Sequence, residues 1–357
     1  MELQKPKLMY QQICETIRTE AKQFEPGHFL GTEISYSKQF NVSRPTVRKA
    51  IDLLINEGIV SRIAGVGLEV THRQKQEVFD KKLLIAVDSL SVDDGLFTKI
   101  VMGAIDTAND YGYGYHIINN LDPSEKVNTI KNLDMSRYIG VITTAFDTPE
   151  DKKILQILKS SNVKFVLVDN PIEGGIYNYV VADDYSGGYL LGEHLYKLNH
   201  KRILFLANAW PAVTVANRQK GLSDALSQNG LCLNEKDIVK VDYEGLAQNY
   251  ILENALTPEF DYTAIVASND IISMHCLNAF DVLGIKVPED ISITGFGDYK
   301  IASMMRHPLT TIKVPGYKMG TEAAKLLLES NLANKYHKII LDIELKIRET
   351  TTLAKID

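Results

Sequence analysis

Two hydrophobic spacings divide the chain. Through residue 54 apolar positions recur every three or four residues: Leu8, Met9, Ile13 and Ile17, then Ile34, Tyr36 and Phe40, then Val47, Ile51 and Leu54. That is the period of a helix with one buried face, so three short helices are expected. Pro26-Gly27 breaks the chain after the first. Thr32 suits the N-cap of the second, and Asn41 suits the left-handed turn that ends it. Ser43 is a good N-cap for the third, and Pro45 fits a first turn, where its missing N–H costs nothing. Residues 59–63 and 68–70 then flank Ala64-Gly65-Val66-Gly67, a hairpin with a glycine tip.

From residue 82 the spacing changes. Short apolar runs at 83–87, 115–119, 139–143, 165–169, 203–207, 264–267 and 291–295 read as buried strands. Amphipathic stretches lie between them: 100–111, with Ala104, Ile105 and Ala108 facing inward, 152–160 and 187–198. Such alternation builds βαβ units and parallel sheets. About 270 residues is large for one sheet, so two sheets with a cleft between them are expected. Residues 72–81 are polar without clear periodicity and read as a linker, separating a domain at 1–71 from one at 82–357.

The third helix carries chemistry. With Val47, Ile51 and Leu54 turned inward, Arg44, Thr46 and Arg48 are left pointing out near its N-terminus. A short helix of this kind fits a DNA major groove, where arginine pairs bidentately with guanine O6 and N7. An ordinary amphipathic helix with solvated charges has the same pattern. Charge is consistent with DNA. Residues 1–75 hold 11 Lys and Arg against 8 Asp and Glu, whereas the rest holds 28 against 37, giving the net −6 of the 357-residue chain.

Three helices and a wing resemble the winged helix-turn-helix of the GntR family. The resemblance runs through Tyr10-Gln11-Gln12-Ile13, Pro26-Gly27, Thr32-Glu33, the run from Val42 to Ala50 and Gly58-Ile59-Val60. It implies DNA contacts from Arg44, Thr46, Arg48 and the adjoining Lys49, with Gly65 at the wing tip near the minor groove. Two positions depart from the family: Ile34, where a basic residue is frequent, and Val66, where the wing often carries one.

Residues 82–350 resemble the effector domain of LacI/GalR-type repressors, which has the fold of periplasmic sugar-binding proteins. The runs that carry this begin at Val181-Ala182-Asp183-Asp184, Asn217-Arg218-Gln219, Ala267-Ser268-Asn269-Asp270, Val287-Pro288-Glu289-Asp290 and Pro308-Leu309-Thr310. The implied architecture is an α/β domain of two subdomains, one about 82–181 with 313–340 and the other about 182–312 with 341–357. The crossings fall near Val181, Ile312 and Leu341.

Open parallel sheets bind ligands at the carboxyl ends of their strands. Asp169, Arg218, Asn269 and Asp298 are the candidates there, with Trp210, the single tryptophan, as an aromatic face for a sugar ring or else a hydrophobic anchor. Carboxylates accept, and arginine donates, paired hydrogen bonds to vicinal hydroxyls. The resemblance places the positions of Asp169, Arg218 and Asn269 at the ligand, with Asp270 capping the next helix instead. Gly295-Phe296-Gly297-Asp298 lacks the first acid that the family commonly has after its aromatic residue, leaving Asp298 as the substitute.

Other classes find no support. The first strand is followed by Asp88-Ser89-Leu90-Ser91 rather than G-x-G-x-x-G, and there is no G-x-x-x-x-G-K-[ST], G-x-S-x-G or H-E-x-x-H. No enzyme, cofactor or metal site is expected. Cys14, Cys232 and Cys276 are too scattered for a disulfide framework. The start, Met1-Glu2-Leu3-Gln4-Lys5, lacks a signal-peptide pattern and no apolar run spans a membrane, so a cytoplasmic protein is expected and a sugar-transport binding protein is not.

A GntR-type head on a LacI/GalR-type effector domain resembles the arabinose-repressor group. The resemblance implies a homodimeric transcription factor, most simply a repressor of carbohydrate-utilisation genes. A monosaccharide, an arabinose-like pentose or a deoxyhexose such as fucose, would release it from operator DNA. A nucleoside or purine effector is the alternative.

Overall fold

A computed structural model describes residues 9–21, 23–56, 59–63, 66–71, 81–87, 95–119, 122–172, 175–209, 212–241, 246–329 and 336–355. The chain divides into two compact units, residues 1–78 and 79–357.

The first unit runs α1 (Met9–Ala21), β1 (Phe29–Leu30), α2 (Glu33–Phe40), α3 (Arg44–Asn56), β2 (Val60–Ile63) and β3 (Gly67–Val70). Ile13, Ile17 and Ala21 of α1 meet Val47, Ile51 and Leu54 of α3 in a core closed by Tyr36, Val60, Leu68 and Val70. Thr32 caps α2 by accepting the Ser35 N–H, and Asn41 ends it at φ 50° and ψ 46°. Ser43 differs from expectation. Its carbonyl takes the Thr46 and Val47 amides, but its hydroxyl lies 2.7 Å from Thr46 Oγ1. Ile34 is half exposed, while Tyr36 and Phe40 turn inward from α2 and the Tyr36 hydroxyl ties it to α1 through Glu20. Strand β1, too short to show a period, adds to β3 and makes the wing a three-stranded antiparallel sheet of order β1-β3-β2.

The second unit begins β4 (Lys82–Val87), α4 (Gly95–Asp110), β5 (Gly114–Asn119), α5 (Pro123–Lys131), β6 (Tyr138–Thr143), α6 (Pro149–Ser160), β7 (Phe165–Val168) and β8 (Asn178–Ala182). It continues α7 (Asp184–Lys197), β9 (Ile203–Asn208), α8 (Val213–Gln228), β10 (Ile238–Val241), α9 (Leu246–Asn254), β11 (Ala264–Ala267), α10 (Asp270–Leu283), β12 (Ser292–Gly297) and β13 (Thr310–Lys313). It ends α11 (Gly316–Leu328), β14 (Lys338–Leu341) and β15 (Glu344–Lys346).

These strands make two six-stranded sheets, β14-β8-β7-β6-β4-β5 and β10-β9-β11-β12-β13-β15, parallel except where β15 runs against β13. Central strands such as β4, β9 and β11 are buried on both faces, which explains their unbroken apolar runs. The chain crosses between the lobes after β8, after β13 and after β14. Helix α11 returns to pack on α4 with backbones nearly touching, since a Cβ on Gly320 would lie 1.8 Å from the Ile100 carbonyl oxygen. Strands β8, β10, β13, β14 and β15 go beyond the seven expected; they are short, and several lie at or near sheet edges, where the apolar pattern is weakest.

Candidate nucleic-acid interface and ligand cleft

On the first unit Arg44, Arg48 and Lys49 are exposed and Thr46 is half-buried, all within the first two turns of α3. Arg48 donates through Nε and Nη2 to Glu33 Oε2 at 3.3 and 3.2 Å. The other Glu33 oxygen takes Arg62 Nη2 of the wing at 2.9 Å, and Arg62 also reaches Asp52 at 2.9 Å. Glu33 thus joins the start of α2, the outer face of α3 and the wing. Lys49 is engaged differently: its ammonium lies 4.2 Å from the centre of the Tyr10 ring. Gly65 lies outside the described residues.

The cleft of the second unit is organised by Arg218, in the second turn of α8. Its Nε donates to Asp184 Oδ1 at 2.7 Å, its Nη1 donates to the Ser268 carbonyl at 2.7 Å, and its guanidinium lies 3.9 Å from the Phe296 ring centre. Asp184 opens α7 and is buried. Two glycines bring these helices to backbone distance. A Cβ on Gly188 would sit 1.9 Å from the Arg218 carbonyl oxygen, and one on Gly221 would sit 2.0 Å from that of Tyr185. No larger residue fits either place, and this close seam presses Arg218 against Asp184.

Asp169 follows β7 on the other lobe, with φ at 70°. Burial pushes its carboxyl above the ordinary value, against the pull of Arg218. Burial also pushes Asp184 up to about 7; Arg218 pulls it down, and Asp169 pushes it up again. The guanidinium is thus paired with Asp184 of its own lobe and feels the charge of Asp169 from the other.

The remaining candidates divide. Asn269 caps α10, its side chain accepting the Ile272 N–H at 2.9 Å. Asp270 is not the cap: it is buried and accepts the Tyr299 N–H at 2.7 Å and the Thr311 hydroxyl at 2.6 Å. Asp298 has φ at 51°, and its carboxylate takes Arg348 Nη2 at 2.5 Å. Arg348 in turn donates to the Leu309 carbonyl at 2.8 Å. Asp298 is thereby committed to the C-terminal segment. Trp210 lies outside the described residues.

Residues 9–70 match the gntR family of bacterial regulatory proteins, and residues 193–351 match the periplasmic binding protein-like domain. The chain joins a GntR-type DNA-binding head to a periplasmic-binding-protein-like domain. An arabinose metabolism transcriptional repressor of Halalkalibacterium halodurans is 29% identical over 91% of this chain and 91% of its own length. A putative LacI-type transcriptional regulator of Bacillus cereus subsp. cytotoxis covers 77% of this chain and 100% of its own with a TM-score of 0.69 and 27% identity. A LacI family regulator of Enterococcus faecium crystallised with ribose shares the fold, with a TM-score of 0.67 at 23% identity, covering 77% of this chain and 100% of its own.

The relatives that match nearly the whole chain are transcriptional repressors of arabinose metabolism. In the GntR-type head, Glu33 and Arg62 went unmarked as working residues, although Thr32-Glu33 stood among the motifs. In the periplasmic-binding-protein-like domain, Asp184 was visible only as part of Asp183-Asp184-Tyr185, and nothing local tells which of two adjacent acids faces an arginine 34 residues away. Among the described residues no cluster of His, Cys, Asp and Glu is arranged to hold a metal, and no helix is long and apolar enough to cross a membrane.

Proposed function

We propose that the protein is a cytoplasmic repressor of carbohydrate-utilisation genes that binds a two-fold operator as a homodimer and leaves it when a monosaccharide closes the cleft. The observation that carries this is the buried Arg218–Asp184 pair at the cleft, with Asp169 of the other lobe within its electrostatic reach. A polyol entering there would take hydrogen bonds from Arg218 and donate its hydroxyls to Asp169, bonds that are worth most in a water-poor site. An arabinose-like pentose is the first effector to try, supported by the Halalkalibacterium relative, and a deoxyhexose such as fucose is the second.

Arg44, Thr46 and Arg48 are proposed to read the operator, with Lys49 and Gly65 adding contacts at the edge of the site. Asn269 presents its amide at the cleft while holding the start of α10.

The dimer contact is proposed on the second lobe. A groove of about 590 Å³ lies there, where Met274, Leu277, Ile301, Met304 and Met305 are flanked by the charged Asp281, Lys286, Glu289 and Arg306. Met304 is 70% exposed, an apolar side chain that a second copy would cover.

A thermal-shift series with L-arabinose, D-fucose, ribose, adenosine and hypoxanthine tests the reading, because a ligand of the folded state raises stability by RT ln(1 + [L]/Kd). L-arabinose should raise the midpoint and weaken operator binding. Stabilisation by the purine compounds and not by sugars would replace the sugar effector with a purine.

A further inference from the structure

Helix α8, which carries Arg218, begins without a cap of its own. Its N-cap position is Ala212, whose methyl offers no acceptor. The first amides of a helix have no partner within it, and a buried helix start needs one from elsewhere. Here it comes from the opposite lobe. Thr214 N–H, at the second position of α8, donates to Asn170 Oδ1 at 3.3 Å. Asn170 follows Asp169 at the carboxyl end of β7, and its Nδ2 donates to the Ala145 carbonyl of its own lobe at 2.8 Å. Both Asn170 and Thr214 are buried, at 1% and 5% exposure.

The orientation of this amide is settled by its neighbours. The Ala145 carbonyl can only accept and the Thr214 amide can only donate, so a flipped Asn170 would lose both bonds. A second bond crosses the cleft in the same arrangement of the lobes: Lys99 Nζ of α4 donates to the Asp298 carbonyl at 3.3 Å.

We propose that Asn170 is a cross-cleft helix cap, a positioning residue that completes α8 only when the lobes are closed. Opening the cleft removes the acceptor from Thr214 and leaves the start of α8 uncapped. Closure restores it and seats Arg218 on its rigid helix. Asn170 thereby couples the assembly of the ligand site to lobe closure, beside Asp169 and without touching the ligand. The inference rests on the cleft being the effector site, but its central observable does not require the effector to be known.

Site-resolved amide hydrogen exchange on the full-length, ligand-free protein tests it. In the wild type Thr214 N–H is protected, and L-arabinose increases the protection. Asn170→Ala speeds exchange at Thr214 roughly fivefold, the usual worth of an N-cap, while amides in the middle of α8, such as Ala225, keep their rates. L-arabinose affinity falls by a similar factor, with operator affinity unchanged in the absence of sugar. A Thr214 amide that exchanges in the sugar-bound wild type as freely as an uncapped first-turn amide overturns the proposal, whether or not the variant folds. Unchanged Thr214 exchange in a folded Asn170→Ala protein also overturns it. Failure of L-arabinose to bind, with the Thr214 results as expected, overturns the choice of sugar and leaves the cap standing.

Discussion

Arg218 Nε stands 2.7 Å from Asp184 Oδ1, with the two side chains 10% and 4% exposed. A buried pair of this kind costs desolvation, and its attraction offsets that cost only when further bonds complete it. The Ser268 carbonyl and the Phe296 face supply them. The charge of Asp169 on the other lobe also favours the cationic guanidinium.

Arg218→Ala should remove the sugar response and leave operator binding intact, giving a permanently repressing protein. Without the guanidinium Asp184 takes a proton, so the fold survives. Operator affinity with and without L-arabinose checks this, and typical coupling of about 1–3 kcal/mol is well within reach of a gel-shift titration. A retained response would place the ligand elsewhere; lost operator binding without sugar would make Arg218 structural.

Asp184 should leave a mark on pH dependence. Its carboxyl is raised from 3.8 to about 7 in the fold, chiefly by burial. A raised carboxyl binds a proton in the folded state that the unfolded chain has released. Its contribution is therefore complete below about pH 4 and is lost as pH rises towards 7. Thermal unfolding between pH 5.5 and 8 should show the wild type losing stability relative to Asp184→Asn, which has nothing to titrate. Parallel curves for the two proteins would refute the shift.

Arg48→Ala should weaken operator binding by about 1–3 kcal/mol, the worth of a bidentate base contact. In the free head Arg48 rests on Glu33, and DNA has to compete with that exposed pair, which is worth little in water. A folded Arg48→Ala protein with unchanged operator affinity would remove α3 from the reading surface.

Gly188→Ala should destabilise the second unit by roughly 1–3 kcal/mol, the range for overpacking a filled site. The added methyl meets a backbone carbonyl, which cannot swing aside as a side chain could. Helices α7 and α8 must part, so the denaturation midpoint and L-arabinose affinity should fall together. Loss of stability with unaltered sugar affinity would separate this seam from the ligand site.

The fragment 82–357 should sediment as a dimer at micromolar concentration, and Met304→Glu should yield monomers. A charge placed in an apolar contact loses its hydration without gaining a partner. A dimer that survives this substitution would put the contact on another face.

Much of this protein is written locally. The helical period of Val47, Ile51 and Leu54, the Thr32 cap and the Asn41 turn depend on neighbours a few residues away, and so do the apolar runs of β4, β9 and β11. They could be read from the chain, as could the outward Arg44 and Arg48. What a side chain meets across the fold could not. Arg218 and Asp184 are 34 residues apart, Thr214 and Asn170 are 44, and Arg348 and Asp298 are 50. Asn269, and not Asp270, caps α10, because folding delivers the Tyr299 amide and the Thr311 hydroxyl to Asp270. Periodicity tells which face of an element is buried; only the packing of distant elements decides which polar groups are buried together, and the desolvated polar groups of the cleft are where that pairing counts.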